Sequence, residues 1–150
     1  MNVDLTFNNS TGQREYLRVF FVEILKKALG SLSLGFSECG VSINVVSQEK
    51  MMQLNQKYRD KNQPTDVLSF PLHQAVDAIK KRDAIIELGD IFICLEVALK
   101  KTKESNRSLN DEVKFLVVHG LLHLLGYDHE KSPEDEKKMF SVQDRILAIV

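Results

Sequence analysis

Residues 108–129 read SLNDEVKFLVVHGLLHLLGYDH, and this stretch decides the architecture. Ser108 or Asn110 can start a helix, and Asp111 and Glu112 place negative charge where its N-terminal end is positive. From Phe115 to Leu125 nearly every position is apolar. A helix that is apolar on most faces has to be surrounded by other elements, so it should be central. His119 and His123 stand within it, and His129 follows just beyond Gly126. Positions four apart on a helix are offset by about 40° around the axis and roughly 6 Å along it, so two imidazoles can converge on one ion. Gly126 can adopt the left-handed conformation that ends a helix and turns the chain back, which would bring His129 to the same ion.

Three neutral imidazoles with one position open is a catalytic metal arrangement, because structural zinc sites usually fill all four positions with protein ligands. Zinc is the expected ion. A single histidine here would read as an ordinary core or surface residue. Three of the chain's four histidines, however, fall within eleven residues, and unpaired imidazoles on an apolar helix cost free energy. His73, the fourth, reads as a solvated side chain. The spacing H-x3-H-x2-G-x2-H is also that of metzincin metalloproteases, which carry Glu directly after the first histidine as general base. This chain has Gly120 there, and glycine cannot take a proton.

Outward from this helix, Val3, Leu5 and Phe7 alternate as a half-buried strand, and residues 13–29 switch to helical spacing at Leu17, Phe20, Phe21, Ile24, Leu25 and Ala28, with Gly30 as the stop. The Gly- and Ser-rich stretch from Gly30 to Gly40 reads as a connection. Val41, Ile43 and Val45 alternate as a second strand, and Ser47 can cap a helix running to about Tyr58. Pro64 ends a loop, Val67 to Phe70 forms a short strand, and Pro71 closes it. Residues 72–88, with Lys80, Lys81, Arg82 and Asp83, read as an excursion, partly helical at most. A buried strand is expected at Ile91, Phe92, Ile93 and Cys94, then a helix from Leu95 to Glu104. Ser132, Pro133, Glu134 and Asp135 signal the start of a last helix, with Phe140, Ile146 and Leu147 on its buried side.

The 150 residues suit one domain, 1–150, large enough to fold without a structural metal. Hydrophobic residues make up 43% and charged ones 27%, which excludes a disordered or fibrous chain. Twenty basic and twenty-one acidic residues leave a net charge of -1, so only a local basic patch could attract nucleic acid. Cys39 and Cys94 lack CxxC spacing and read as reduced intracellular thiols. The stretch MNVDLTFNNS lacks a basic region followed by an apolar core, and no apolar run approaches the roughly 18 residues of a membrane span. A cytoplasmic protein without a membrane partner is expected.

The motif from His119 to His129, together with Leu54-Asn-Gln-Lys-Tyr-Arg59, Pro64-Thr-Asp-Val-Leu-Ser-Phe-Pro71 and Leu88-Gly-Asp-Ile91, closely resembles the YbeY-type bacterial rRNA-maturation endoribonucleases, in order and over most of the chain. The resemblance implies a single-domain α+β fold with a small mixed β-sheet, a three-histidine zinc site and hydrolytic, single-strand-specific cleavage of RNA. It further implies action in 16S rRNA 3′-end maturation and ribosome quality control, with the rRNA precursor, the small ribosomal subunit, a ribosomal protein and an rRNA-binding GTPase as partners. His119, His123 and His129 match the family's metal ligands and Arg59 its functional arginine. Asp60 departs from the pattern, standing where many relatives have glycine.

The chemistry of these residue types agrees with that implication. Arginine grips a phosphodiester through two parallel hydrogen bonds and never loses its charge, although an isolated Arg more often forms a surface salt bridge. Lys100, Lys101, Lys103 and Arg107, with Lys57 and Lys61, can supply a basic rim. Asp66 and Asp128 can orient water or a histidine, or equally pin their own turns. Two rivals stay open: a metzincin-like peptidase with a different base, and a non-enzymatic ribosome-assembly factor whose metal secures the fold.

Overall fold

The computed structural model describes residues 1–73 and 85–150. Elements follow in the order β1 (Asn2–Asn9), α1 (Arg18–Gly30), β2 (Glu38–Val45), α2 (Gln48–Arg59), β3 (Val67–Pro71), β4 (Ile86–Ile93), α3 (Leu95–Ser105), α4 (Leu109–Leu124) and α5 (Pro133–Leu147). The four strands form one mixed sheet in the order β1-β2-β4-β3. β1, β2 and β4 run parallel, and β3 pairs antiparallel to β4 at the edge. This is the α+β architecture with a small mixed sheet.

One face of the sheet packs on the main core, and at the β3–β4 end the other face is apolar and covered as well. Ile91 and Ile93 of β4 join the main core with α1 and α4, while Phe92, between them, joins a second cluster with Leu68, Phe70 and Met51 of α2. Alternation along a strand sends neighbours to opposite faces, so α2 lies across the sheet from α4. β3 obeys the same rule: Leu68 and Phe70 face α2, and Ser69 faces α4, where its hydroxyl donates to the Gly120 carbonyl at 3.2 Å.

α4 is the central helix its composition implies, with Val113, Leu116, Val117, Val118, Leu121, Leu122 and Leu124 buried and contacts to β3, β4, α1, α3 and α5. Gly120 lets it approach the sheet. A Cβ there would lie 3.0 Å from Ile91 Cγ2 and 3.1 Å from Ser69 Oγ. Gly120→Glu should therefore lower stability by about 2 kcal/mol, the range for overpacking a close-packed contact. Chemical denaturation of the metal-free variant checks this, and an unchanged midpoint would show that the helix can move away at little cost.

Several boundaries differ from expectation. α1 begins at Arg18 rather than near residue 13. Leu17 is its extended N-cap and is 62% exposed, whereas the buried position is Tyr16, whose hydroxyl bonds Asn110 at 2.6 Å. β2 starts at Glu38, inside the supposed connection, because Asn2 to Asp4 extend β1 and pair with residues 38–40. β4 starts five residues before Ile91. Its register against β2 shifts at Gly40/Val41, and Gly89 has φ +136°. This irregularity breaks the apolar alternation that would have revealed the strand. A Cβ at Gly89 would also run into the Phe70 carbonyl oxygen. Cys94 is the N-cap of α3 instead of a strand residue. On α5 the buried stripe is Met139, Val142, Gln143 and Ile146; Phe140 and Leu147 are only partly buried, because the helix is rotated by about one position. Lys80, Lys81, Arg82 and Asp83 lie outside the described residues.

Candidate metal centre

α4 and the turn after it assemble the three imidazoles. Ser108 caps the helix by accepting from Asp111 N–H at 3.1 Å, and His119 and His123 emerge on one face a turn apart. At the far end Gly126 has φ +94°, the left-handed conformation that glycine adopts without a Cβ penalty. The chain reverses there, and the Asp128 carboxylate accepts from Glu130 N–H at 2.8 Å, pinning the turn that carries His129.

One nitrogen from each ring lies within 4.8 Å of the other two, and Nε2 of His119 and Nε2 of His123 are 3.2 Å apart. Two ligands of a tetrahedral zinc, each roughly 2.0–2.1 Å from the ion, sit about 3.3 Å from one another. The His129 Nδ1 is buried with no hydrogen-bond partner, a costly arrangement for a polar atom unless something else satisfies it. The donor set, three imidazoles without thiolate or carboxylate, suits zinc and related borderline cations. The residues present therefore fit a metal ion.

Electrostatics favour the same use. Burial, with the neighbouring His119 and His129 adding to it, pushes His123 from the ordinary 6.5 down to about 4. His119 is lowered chiefly by burial as well, against its hydrogen bond to Gln143, which raises it. Both rings are thus neutral at pH 7, as ligation requires. A basic group with a folded value below its unfolded one binds fewer protons when folded, so its stabilising contribution is present above pH 6.5 and is lost as pH falls toward 4. Urea titrations of chelator-treated protein should show the midpoint falling across that window, with a smaller fall for His123→Gln. Equal slopes in the two proteins would contradict the burial of His123.

The surroundings are cationic despite the net charge. A cavity of about 460 Å³ is lined by all three histidines together with Arg59, Lys61, Lys101, Asp66 and Ser69. Its one carboxylate, Asp66, is buried and already paired with Lys101 at 2.7 Å, leaving Arg59 and Lys61 uncompensated by any acid of the lining. Arg59 closes α2 on the far face of the sheet and comes to the cleft around the β3 edge. Asp60 behind it adopts φ +54°, a left-handed cap that explains why glycine suits this position. A smaller cavity of about 190 Å³ shares Arg59, Ser69 and His123 with the first and adds Tyr127, Asp128 and Lys131. The two cavities therefore adjoin at Arg59, Ser69 and His123.

Of the expected basic rim, Lys61 and Lys101 reach the cleft. Lys57 instead lies over the Tyr58 ring, Lys100 bonds Gln48 and Arg107 pairs with Glu112 at 3.3 Å while covering Phe115. His73 is not among the clustered histidines; its ring is bonded to the Glu87 carbonyl at 2.9 Å. Burial raises both thiols, Cys39 to about 11, so neither is poised as a thiolate. No helix among the described residues is long and apolar enough to cross a membrane. The sequence reading missed Gln143 and the Asp66–Lys101 pair; a polar residue in step with Met139 and Ile146 was the available signal for the first.

Comparison with known proteins bears on this site. The family model described as Endoribonuclease YbeY matches residues 5–150. Endoribonuclease YbeY of Sulfurihydrogenibium sp. is 39% identical over 143 residues, covering 95% of this chain and 90% of the relative. That of Mycoplasma mycoides subsp. mycoides SC is 42% identical, covering 95% and 85%. A solution structure of a Thermotoga maritima protein superimposes with a TM-score of 0.64 at 27% identity, over 96% of this chain and 87% of that one. With nearly all of its α+β frame and its histidine cluster inside the matched region, the chain belongs to the endoribonuclease YbeY family of hydrolases.

Proposed function

We propose that the protein is a zinc-dependent, single-strand-specific endoribonuclease, one catalytic domain spanning 1–150, acting in the cytoplasm in 16S rRNA 3′-end maturation and ribosome quality control. The observation that carries this reading is the basic cleft that holds Arg59 and three metal-competent imidazoles together and adjoins a second cavity at Arg59 and His123. An open groove with cations along it suits a polyanionic chain, which must enter and leave past the point of cleavage. The rRNA precursor on the small ribosomal subunit is the substrate this family membership favours, with a ribosomal protein and an rRNA-binding GTPase as partners.

His119, His123 and His129 are the proposed ligands. Zinc held there supplies Lewis acidity toward a phosphoryl oxygen and lowers the pKa of water toward about 7. Arg59 binds the phosphodiester through its planar fork and holds the phosphorus over the imidazoles. Lys101, oriented by Asp66, places a second donor at the cleft wall, and Lys61 and Lys131 receive flanking phosphates. At Gly120 a Cβ would lie 3.0 Å from Ile91 Cγ2 and 3.1 Å from Ser69 Oγ, so the position next to His119 cannot carry a carboxylate base, and a peptidase would have to draw its base from elsewhere in the cleft.

The test offers zinc-loaded protein single-stranded RNA, duplex RNA and an unstructured peptide, with His123→Ala purified in parallel so that a contaminating nuclease would appear in both. Cleavage of single-stranded RNA by the wild type alone is expected. Peptide cleavage, or equal RNA cleavage by both proteins, would sink the assignment, and the second result would favour a binding factor.

A further inference from the structure

α5 contributes a residue to the metal centre that the family motifs do not mark. Gln143 is 1% exposed, a fully buried amide in a stripe otherwise made of Met139, Val142 and Ile146. An amide in such a position costs free energy unless it is hydrogen-bonded. Its carbonyl oxygen lies 2.9 Å from Nδ1 of His119. The other nitrogen of the same ring, Nε2, is the one 3.2 Å from Nε2 of His123.

A neutral imidazole carries one proton, on one nitrogen or the other. With the proton on Nε2, His119 would donate it to His123, and the two rings would tie up each other's metal-facing atoms. With the proton on Nδ1, His119 donates to Gln143 and presents an Nε2 lone pair to the cluster. Whether His119 offers a lone pair or a proton at the cluster therefore rests on what faces its Nδ1.

Taking the metal reading of this site as given, we propose that Gln143 is its positioning residue: the amide oxygen accepts the Nδ1–H of His119, selects the tautomer whose Nε2 faces the ion, and holds the ring plane. An outer partner of this kind also raises the basicity of the ligand. The ring has little other freedom, since Phe115 stacks on it at 5.7 Å and 12°. The same helix sets Phe140 against His129, at 5.9 Å between centroids. α5 thus backs two of the three rings, and the docking of the last helix is coupled to metal affinity.

Three variants separate the hydrogen bond from mere packing. Gln143→Met keeps an unbranched side chain of similar volume without an acceptor, Gln143→Asn keeps the amide but withdraws it by one methylene, and Gln143→Glu keeps an acceptor in place. Zinc dissociation constants come from competition with a chromophoric chelator. The protonated nitrogen of His119 is read by long-range 15N–1H correlation on metal-free protein, and metal-free melting temperatures show that each variant folds. Wild type and Gln143→Glu should carry the His119 proton on Nδ1 and bind zinc equally well within a few-fold. Met and Asn variants should bind about 10–100-fold more weakly, the usual loss on removing an outer-shell partner, with the His119 proton shifted toward Nε2. Wild-type affinity in Gln143→Met, a Gln143→Glu as weak as Gln143→Met, or an Nε2 proton in the wild type would each overturn the proposal. A wild type that binds no zinc would remove the metal centre and this inference together, whereas equal binding by wild type and Gln143→Met removes this inference alone.

Discussion

His123→Ala protein should retain its fold and lose its metal. Its ring supplies one of the three nitrogens that meet within 4.8 Å among the described residues, and the two that remain cannot enclose a tetrahedral ion. The expected loss of zinc affinity exceeds the roughly 10–100-fold that follows removal of an outer-shell partner, so elemental analysis should find almost no zinc after gel filtration. RNA cleavage should fall by about a thousandfold or to background, since both the Lewis acid and the activated water go with the ion. The fold should persist because α4 is held by Val117, Leu121 and Leu124, all buried, on a face that the histidines do not share. Circular dichroism checks this. Full zinc occupancy in the variant would show that the ion, if any, sits elsewhere.

Arg59→Lys should cost about 100-fold in kcat/KM while leaving zinc content unchanged, comparable with losing one preorganised donor to a developing charge. Charge is conserved in this substitution, so a pure electrostatic role would survive it. The planar fork is not conserved, and an ammonium cannot make two parallel bonds to a phosphodiester. Arg59 lines both cavities, whose two carboxylates are engaged elsewhere, Asp66 with Lys101 and Asp128 with the Glu130 N–H. Affinity for RNA should also fall as salt rises, because release of counterions from phosphates drives much of the binding. Cleavage by Arg59→Lys at the wild-type rate would reduce Arg59 to one cation among several.

Local rules carried the sequence reading a long way where one residue or one period settles the structure. Ser47, Ser108 and Ser132 cap the helices they precede, each accepting from a backbone N–H three residues on, because a cap needs only its own turn. Gly126 adopts positive φ because glycine alone does so without a Cβ penalty. Reading failed where periodicity was interrupted or where a neighbour set the phase. The bulge at β4 hid half of a strand. Leu17 looked like the first residue of an apolar stripe, yet Tyr16 takes the buried place because its hydroxyl finds Asn110 across the core.

The sequence by itself determined that a central apolar helix presents His119 and His123 on one face and that a glycine turn returns His129 to them, since both follow from helical geometry and the conformational freedom of Gly126 within twenty-two residues of chain. Only the tertiary structure decided what surrounds them. Arg59 comes from α2 on the opposite face of the sheet around the β3 edge, Asp66 meets Lys101 across thirty-five positions, and Gln143 reaches His119 from α5 across twenty-four. Such pairings depend on how α2, α3 and α5 are oriented against one core, and that orientation is fixed by the packing of many side chains at once, which no local period records.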